Sequence, residues 1–236
     1  MKDFSIDIYA DGAVVSEMVA AKEKGVVKGF TTNPTLMKRA GITDYVGFAK
    51  EALDKVSGMP ISFEVFSDDF STMKKEAEKI AALGKNVFVK IPITNTKGES
   101  SVPLIKELSA EGIQVNVTAI LTLDQVKEVL PAFKTGSDNI VSVFAGRVAD
   151  TGVDPTDLMK KSVELVKANG NAKLLWASCR EVLNIKQADD LGVDIITVTT
   201  PVLNKLSMLG TDAKELSLDT VKGFAADVKS LGFSIL

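Results

Sequence analysis

The chain contains no histidine and only one cysteine, Cys179, among its 236 residues. Without histidine there can be no Ser-His-Asp or Cys-His nucleophile, no histidine general base and no histidine-ligated zinc. One cysteine cannot form an intramolecular disulfide or a cysteine cluster for zinc or iron–sulfur, which fits a reducing compartment. Any catalysis must therefore use carboxylates, lysine, hydroxyls and amides. No metal can be held by histidine or by a cysteine cluster.

Charge and hydropathy exclude further classes of protein. The formal net charge is −3 and the pI is about 5.2, whereas binding of a phosphate backbone leaves a basic face. No apolar run approaches the roughly 20 residues of a membrane span, and the N-terminal residues lack the apolar stretch of a signal peptide. We therefore expect a cytoplasmic protein with no nucleic-acid partner and no membrane partner.

Arginine is scarce as well. It occurs only at Arg39, Arg147 and Arg180, and the other 25 cationic residues are lysines. A guanidinium binds carboxylates and phosphates through a planar fork that an ammonium group lacks. In a chain that otherwise uses lysine, we therefore expect the three arginines to have particular roles.

Short β-branched or apolar runs alternate with amphipathic helical patterns along the whole chain. Strands are predicted at 4–9, 28–31, 60–66, 86–91, 113–118, 139–144, 172–177 and 194–199. Helices are predicted at 14–24, 44–56, 70–83, 102–111, 123–132, 155–168, 181–191 and 201–208, with a last helix at about 217–231. Such alternation indicates parallel strands joined by crossover helices. Without a linker or composition break, residues 1–236 are predicted to form one α/β domain, a (β/α)8 TIM barrel with an extra C-terminal helix.

Polar and apolar side chains alternate within the predicted strands. In the third strand Phe63 and Val65 share one face while Ser62 and Glu64 share the other, and the next three strands alternate in the same way. Polar groups inside a barrel are costly unless they pair with one another or with a ligand. Because barrel enzymes carry their chemistry at the C-terminal ends of the strands, the pattern indicates a ligand site there.

Lys90 is the sharpest single feature of the sequence. It lies within the apolar run 87–93, where a lysine is seldom fully buried without a reason. Desolvation favours the neutral form of an amine, which can attack a carbonyl and form a Schiff base. A structural salt bridge with Glu64, or a side chain that reaches water from the strand end, would explain Lys90 equally well.

Two carboxylates are candidates for acid–base catalysis. Asp11 follows the first predicted strand and Glu64 lies near the end of the third. Schiff-base chemistry moves protons among several intermediates, and without histidine a carboxylate must carry them. Asp11 could instead cap the following helix, since Asp-Gly before an apolar run is favourable cap chemistry.

Neutral hydrogen-bonding groups follow two other predicted strands. Thr32 and Asn33 form one pair that could hold sugar hydroxyls, although Asn33-Pro34 is also an ordinary turn that starts a helix. Asn116 and Thr118 form a similar pair at the end of the fifth predicted strand. Both pairs are therefore candidates for substrate binding.

Two of the three arginines follow neighbouring predicted strands, each with a serine nearby. Ser142 and Arg147 lie at the end of the sixth strand, and Ser178 and Arg180 follow the seventh. Loops late in a barrel often bind phosphate, so these residues predict an anion site. The alternative is a pair of surface salt bridges, for which lysine would serve as well.

Taken together, these residues resemble the transaldolase family, in its short single-domain type, over nearly the whole chain. The matching segments are Thr31-Thr32-Asn33-Pro34-Thr35-Leu36, Val89-Lys90-Ile91-Pro92, Asn116-Val117-Thr118 and Phe144-Ala145-Gly146-Arg147. The resemblance implies a class I aldolase with a (β/α)8 fold and no cofactor or metal.

The resemblance also implies a role for each candidate residue. Lys90 would form the Schiff base, and Asp11 would be the acid–base residue. Glu64 and Thr118 would hold the catalytic water. The substrate-binding residues would be Thr32, Asn33, Asn116, Ser142, Phe144, Arg147, Ser178 and Arg180, with the two arginines on the substrate phosphate.

The implied reaction is the transfer of a dihydroxyacetone unit between phosphorylated sugars, as in the pentose phosphate pathway. Donors would be sedoheptulose 7-phosphate or fructose 6-phosphate, and acceptors glyceraldehyde 3-phosphate or erythrose 4-phosphate. Short transaldolases resemble one another in forming pentamers or decamers, so a homo-oligomer is expected, with the C-terminal helix packed on a neighbouring copy.

Three alternatives stay open. Fructose-6-phosphate aldolase uses the same lysine but releases free dihydroxyacetone. Glu64 and Phe144 stand where those aldolases have glutamine and tyrosine, which favours transaldolase.

The residue after Asp11 is glycine where the family usually has threonine, and Trp176-Ala177-Ser178-Cys179 also departs from the usual pattern. These departures leave open a transaldolase for a modified sugar phosphate, such as a sulfo-sugar. The third alternative is a barrel that binds sugar phosphates without catalysis. Trp176 itself is expected in the core or the pocket wall.

Overall fold

Eight parallel strands form a closed barrel in chain order in the computed structural model, which describes residues 4–233 and 235. The strands are β1 (Asp7–Asp11), β2 (Gly29–Thr31), β3 (Ile61–Glu64), β4 (Val87–Pro92), β5 (Val115–Ile120), β6 (Ile140–Val143), β7 (Lys173–Trp176) and β8 (Ile195–Thr199). The last strand pairs with the first, with Asp11 opposite Thr199. The predicted (β/α)8 barrel is confirmed.

Helices follow the strands on the outside of the barrel. They are α1 (Val15–Glu23), α2 (Pro34–Arg39), α3 (Tyr45–Lys55), α4 (Phe70–Ala81), α5 (Val102–Ala110), α6 (Leu123–Val129), α7 (Ala145–Ala149), α8 (Thr156–Asn169), α9 (Val182–Leu191), α10 (Thr200–Leu203) and α11 (Ala213–Leu231). Two 3-10 turns, Leu130–Ala132 and Asn204–Met208, extend α6 and α10. Within the part of the chain that the structure describes, no helix combines the length and apolarity that crossing a membrane requires.

The first strand begins later than the sequence predicts. The backbone amides of Ser5 and Ile6 donate to the Asp189 carboxylate on α9, at 2.8 and 3.1 Å, so these residues are held by a side chain and not by a neighbouring strand. The ladder starts only where the amide of Asp7 donates to the carbonyl of Asp194. A hydrophobic pattern cannot show this local competition for backbone hydrogen bonds.

Two short helices, α2 and α7, interrupt the expected strand–helix pattern after β2 and β6. The turn at Asn33-Pro34 does start a helix, as the alternative interpretation of that dipeptide held. The Asn33 side chain accepts a hydrogen bond from the amide of Leu36 at 3.0 Å and so caps α2. Helix α7 has five residues, which is too short to produce a visible hydrophobic period.

The C-terminal helix α11 begins at Ala213 and not near residue 217. It starts there because the Asp212 side chain accepts hydrogen bonds from two backbone amides of the first turn. None of its residues is buried, and Phe224 in its middle is 65% exposed. The helix therefore leaves a stripe of apolar side chains in water, at Val221, Phe224, Val228 and Leu231.

Buried apolar side chains form two clusters, which the wall of the barrel separates. The larger lies between the strands and the helices and contains Trp176, which is fully buried there. The smaller lies inside the barrel, and we call it the barrel floor: Tyr9, Phe88, Ile140, Leu175, Ala177 and Ile195. Packing in the floor is tight, because a β-carbon at Gly29 would lie 2.6 Å from the Tyr9 ring. The floor closes the interior below the strand ends.

Candidate active site

A cavity of about 540 Å³ opens above the barrel floor, at the C-terminal ends of the strands. Every strand contributes at least one residue to its lining. It brings together eleven of the twelve predicted site residues: Asp11, Asn33, Glu64, Lys90, Asn116, Thr118, Ser142, Phe144, Arg147, Ser178 and Arg180. The fold therefore gathers side chains that are far apart in the sequence into one chamber.

Lys90 projects from β4 into this cavity and is only 6% exposed. Its Nζ lies 3.2 Å from Oε2 of Glu64 and donates to the carbonyl oxygen of Thr32 at 2.9 Å. In the strand register Glu64 pairs directly with Lys90. The salt bridge considered as an alternative is thus present, and the same ammonium group also faces the space where a ligand would bind.

The end of strand β3 is held in place by a tyrosine that the sequence did not point to. The hydroxyl of Tyr45, on α3, donates to the backbone carbonyl of Glu64 at 2.9 Å. The Tyr45 ring also contacts Phe66 edge-on, with ring centroids 4.9 Å apart. These contacts restrict the backbone that carries Glu64, and therefore the position of its carboxylate beside Lys90.

Asp11 is the last residue of β1 and its carboxylate faces the cavity. The Thr31 hydroxyl donates to Asp11 Oδ1 at 2.7 Å. Helix α1 has Val14 as its N-cap residue, with no side-chain cap, so Asp11 does not cap the helix. Burial raises the pKa of Asp11 above its ordinary value, against the Lys90 charge and the Thr31 hydrogen bond, and Glu64 adds to the rise. A carboxyl with a raised pKa suits repeated uptake and release of a proton near neutral pH.

Asn116 is held at both ends of its amide. Its Nδ2 donates to the Ser62 hydroxyl oxygen at 2.9 Å, and its Oδ1 accepts from the Ser142 hydroxyl at 2.6 Å. All three side chains are buried inside the barrel. The amide is therefore fixed in one orientation before any ligand binds.

Thr118 carries an unsatisfied hydroxyl at the cavity wall. Its Oγ1 is buried and has no hydrogen-bond partner among the described residues, a situation that normally calls for a ligand or a bound water. The next residue, Ala119, has a φ of +62°, and the β5–β6 register shifts between Val117 and Ile120. Irregularities of this kind re-aim side chains next to active sites.

Thr32 lies elsewhere than the sequence predicts. It is fully buried, its hydroxyl donates to the carbonyl of Ser62 at 3.2 Å, and it does not line the cavity. Only its backbone carbonyl touches the site, through Lys90. The neighbouring Thr31 faces the barrel interior in its place, because successive side chains of a strand point to opposite faces.

All three arginines of the chain line the mouth of the cavity. The predicted pair, Arg147 and Arg180, is joined by Arg39 at the end of α2, and Lys90 is the one lysine in the lining formed by the described residues. The Arg147 guanidinium lies 5.5 Å from the centre of the Phe144 ring. Arg180 forms a forked ion pair with the Asp150 carboxylate, with its Nε 3.2 Å from Oδ1. The three arginines of this arginine-poor chain therefore all line one cavity.

Helix α7, which carries Arg147, touches the loop that carries Arg180 through backbone atoms. A β-carbon at Gly146 would lie 1.7 Å from the carbonyl oxygen of Ser178, so no other residue fits there without movement. Ser178 itself has a φ of +63°, a left-handed conformation that is costly for a residue other than glycine. Helix α7 and this loop are therefore in direct backbone contact.

Cys179 also lines the cavity but has the properties of a packing residue. Its Sγ is buried and lies 3.4 Å from the carbonyl oxygen of Glu181. Burial raises the pKa of the Cys179 thiol to about 12, so the nucleophilic thiolate is disfavoured. Residues 4–233 and 235 contain no group of three or more Cys, Asp or Glu side chains placed to hold a metal ion.

The cavity lining also includes Thr31, Thr197, Thr199 and Arg39, which are not among the predicted site residues. The scarcity of arginine was an available signal for Arg39. Thr197 and Thr199 follow one another at period two on β8, which is a readable signal for an inward face. What the sequence did not show is that the Thr197 side chain contacts Thr31 once the barrel has closed.

A family model described as transaldolase/fructose-6-phosphate aldolase matches residues 8–235. The chain belongs to this family. The resemblance inferred from the motifs is therefore confirmed, over nearly the full length that the sequence suggested.

Two curated relatives in the transaldolase/fructose-6-phosphate aldolase family illustrate the degree of similarity. A protein named "Probable transaldolase" from Clostridioides difficile (strain 630) is 36% identical over 199 residues, which cover 84% of this chain and 88% of the relative. One of the same name from Ruegeria sp. (strain TM1040) is 33% identical over 229 residues, covering 97% and 99%. The similarity to the Ruegeria protein extends over nearly all of both chains.

Similarity among solved structures extends to more distant barrels. The crystal structure of KGPDC from Streptococcus mutans matches with a TM-score of 0.56 at 12% identity, covering 84% of this chain and 89% of that one. At this identity the match demonstrates a shared fold and nothing about the reaction.

Proposed function

We propose that this family member is a transaldolase that carries a dihydroxyacetone unit on Lys90 from a ketose phosphate to an aldose phosphate. The observation that carries the proposal is the buried Lys90 amine, 3.2 Å from the Glu64 carboxylate and in the same cavity as Asp11. A nucleophile beside one carboxylate and facing another is what imine chemistry needs when no histidine is present. The names of the two curated relatives support the same reaction class.

Imine formation is the first half of the proposed reaction. Glu64 accepts the proton of the Lys90 ammonium, and the neutral Nζ attacks the C2 carbonyl of the ketose phosphate. Glu64 then returns this proton to the carbinolamine hydroxyl, which leaves as water, and an iminium ion forms. We assign the binding of that water to Glu64 and to the Thr118 hydroxyl, which has no hydrogen-bond partner among the described residues.

Carbon–carbon cleavage is the second half. The Asp11 carboxylate takes the proton of the C4 hydroxyl, the C3–C4 bond breaks, and its electron pair moves into the iminium to give an enamine. An aldose phosphate leaves, and Asp11 is now protonated. An acceptor aldose phosphate reverses these steps: the enamine attacks its aldehyde carbon, Asp11 returns the proton to the new hydroxyl, and water releases the product ketose from Lys90.

Substrate recognition is assigned to the remaining side chains of the cavity. The amides of Asn33 and Asn116 and the Ser142 hydroxyl suit the hydroxyls of the three-carbon unit. The arginines at the mouth suit the phosphate. The proposed donors are sedoheptulose 7-phosphate and fructose 6-phosphate, with glyceraldehyde 3-phosphate and erythrose 4-phosphate as acceptors, which would place the enzyme in the pentose phosphate pathway.

Borohydride trapping tests the proposed intermediate. The protein is incubated with fructose 6-phosphate, reduced with borohydride, digested and analysed by mass spectrometry. We expect the three-carbon adduct on the peptide that contains Lys90, and none in Lys90→Met. A matched control is Lys97→Met, which removes an exposed lysine from the loop after β4 and should trap normally. An adduct absent from the unmodified protein would refute the Schiff base.

Fructose-6-phosphate aldolase activity is the second candidate function. Phe144 lines the cavity and has no hydroxyl that could protonate the enamine and release free dihydroxyacetone, so this position favours transfer to an acceptor. The two reactions differ in acceptor dependence. We expect turnover of fructose 6-phosphate only when erythrose 4-phosphate is added, and free dihydroxyacetone formed without an acceptor would favour the aldolase.

A sulfo-sugar phosphate analogue is a further substrate to compare, because a guanidinium binds a sulfonate through the same fork as a phosphate. Arg147 and Arg180 would accept either anion. A panel with matched phosphorylated and sulfonated ketoses decides between them, and a higher kcat/KM for the sulfonated donor would reassign the substrate. A barrel that binds sugar phosphates without catalysis would bind both and turn over neither.

We also propose that α11 packs against another copy of the chain, in a pentamer or decamer. Val221, Phe224, Val228 and Leu231 repeat at spacings of three and four residues, the pattern of a helix seam. These residues are exposed in the single chain. Light scattering should report an oligomer, and Phe224→Glu with Val228→Glu should dissociate it. A monomer in the unmodified protein would contradict the proposal.

A further inference from the structure

We propose that Thr197 and Thr31 form a hydroxyl relay that orients the Asp11 carboxylate, so that one of its oxygens is held and the other is left to exchange a proton with substrate. Thr31 and Thr197 are then positioning residues that act through Asp11. The kinetic consequence rests on the proposed transaldolase function, whereas the effect on Asp11 itself can be measured independently.

The relay spans three neighbouring strands. Thr31 on β2 pairs in register with Asp11 on β1. Thr197 on β8 pairs with Tyr9, which is two residues before Asp11 on the same inward face of β1 and so lies deeper in the barrel. The Thr31 hydroxyl donates to Asp11 Oδ1 at 2.7 Å and is also hydrogen-bonded to the Thr197 hydroxyl. Thr31 and Thr197 are 2% and 6% exposed, so water cannot readily replace either contact.

The chemistry of these groups determines the direction of each hydrogen bond. An ionised carboxylate only accepts, and a threonine hydroxyl has a single hydrogen to donate. The Thr31 hydrogen must therefore point to Asp11, and its oxygen must accept the hydrogen of Thr197. Among the described residues Asp11 Oδ2 receives no hydrogen bond from a side chain or from the backbone, and Oδ2 is thus the oxygen open to substrate.

The charges around Asp11 show why such a relay matters. Lys90 on β4 and Glu64 on β3 are the charged groups that act on Asp11 from across the cavity, with opposite effects, and burial opposes ionisation. The groups that β8 presents to Asp11, Thr197 and Thr199, are uncharged, and Tyr9 lies below it on its own strand. On β2 the Thr31 hydroxyl is a hydrogen bond that favours the anion. Without it, less of the carboxylate would be in the form that can take a substrate proton.

Carboxyl NMR on the full-length protein labelled with ¹³C-aspartate tests the orientation directly, with Asp11→Asn used to assign the resonance. We expect Thr31→Val to move the Asp11 titration upward by about one pH unit, since a hydrogen bond to the charged form is lost. Thr197→Val should move it upward by less, because Thr31 keeps its hydrogen. Thr31→Ser should restore the original titration. An unchanged titration in Thr31→Val would overturn the relay.

Steady-state kinetics test the consequence for turnover. At neutral pH we expect Thr31→Val to lower kcat about tenfold while the KM for fructose 6-phosphate stays within about twofold, with Thr31→Ser close to the unmodified enzyme. Borohydride should still trap the substrate on Lys90 in Thr31→Val. Normal trapping with unchanged kcat would contradict the relay alone, whereas no trapping in the unmodified protein would contradict the proposed function. Should Thr31→Val fail to fold by thermal melting, Thr197→Val is measured in its place: a small upward shift of the Asp11 titration supports the relay, and an unchanged titration overturns it.

Discussion

The barrel interior has two layers that are held together in opposite ways. The barrel floor is held together by close packing of uncharged side chains, and the Tyr9 ring lies against Gly29. The layer above it, which we call the polar layer, is held by specific pairs: Lys90 with Glu64, Asn116 with Ser142, and Asp11 with Thr31. Strands β1, β4 and β6 each contribute one inward-facing residue to each layer, two positions apart: Tyr9 and Asp11, Phe88 and Lys90, and Ile140 and Ser142.

The difference teaches which substitutions each layer tolerates. A floor residue contributes through contact area, so a substitution there costs stability in proportion to the space it leaves. A residue of the polar layer is held by a hydrogen bond or ion pair with one or two neighbours. A substitution there removes these specific contacts and changes the volume little. The following predictions test whether stability and activity separate in this way.

Replacing Lys90 by methionine should have the largest effect on activity. Methionine keeps the apolar stem and removes the amine, so we expect turnover of fructose 6-phosphate to fall by about four orders of magnitude or more, as for other covalent nucleophiles. The protein should remain folded, because the Glu64 side chain keeps 15% of its surface exposed and lines the cavity, where water can reach it once the amine is gone. A coupled assay and thermal melting measure the two effects, and unfolding of the variant at low temperature would point to a structural role.

Replacing Ile140 by alanine should have the largest effect on stability. Ile140 is fully buried in the barrel floor, and we expect the free energy of unfolding to fall by about 2–5 kcal/mol, with the KM for substrate nearly unchanged. The matched variant is Ser142→Ala, on the same face of β6 one layer higher, which should lower activity and cost less stability, because it leaves only the buried Asn116 Oδ1 without its donor. Urea titration and kinetics compare the pair. A similar loss of stability in both would remove the distinction between the layers.

Removing Arg147 should weaken binding of phosphorylated sugars in particular. A charge-assisted hydrogen bond contributes about 1.5–3 kcal/mol, so in Arg147→Ala we expect the KM for fructose 6-phosphate to rise about tenfold to a hundredfold. The KM for unphosphorylated fructose should not change. Arg39→Gln should raise the same KM by a smaller factor, since Arg39 reaches the mouth from the far side of the barrel. An equal effect on both sugars would contradict the phosphate assignment.

Replacing Asp11 by asparagine should raise stability slightly while it abolishes proton transfer. Burial raises the pKa of Asp11 in the folded state, so its ionised form costs stability at neutral pH and that stability returns as the pH falls through the folded pKa. Each kcal/mol corresponds to about 2–4 °C in a domain of this size, and we expect a Tm increase of that order at neutral pH. The increase should shrink in acid, where both side chains are uncharged. Melting curves across pH would contradict this if the variant melted lower at neutral pH.

Much of the fold and site was predictable because strand periodicity is a local property. Glu64, Lys90, Asn116 and Ser142 each alternate with β-branched or aromatic neighbours, so their inward direction follows from the sequence alone. Thr32 shows where this fails. Strand β2 has only three residues and begins with a glycine, so too few side chains remain to show that Thr31, and not Thr32, lines the cavity.

The other differences depend on contacts between distant segments. The closure of β8 against β1 follows from the predicted barrel, but the contact between the Thr197 and Thr31 hydroxyls does not follow from any local pattern. Likewise, Ser5 and Ile6 leave the first strand because Asp189, far along the chain, accepts their amide hydrogens. These are consequences of the assembled barrel.

The close approach of Gly146 to Ser178 has a consequence for affinity. Because the backbone of helix α7, which carries Arg147, is in contact with the loop that carries Arg180, each segment restricts the other, and conformational entropy is lost when the chain folds. A phosphate would then meet an anion site that is already ordered, and such preorganisation strengthens binding without adding any contact. The glycine at position 146 permits this order, because a side chain there would prevent the backbone contact.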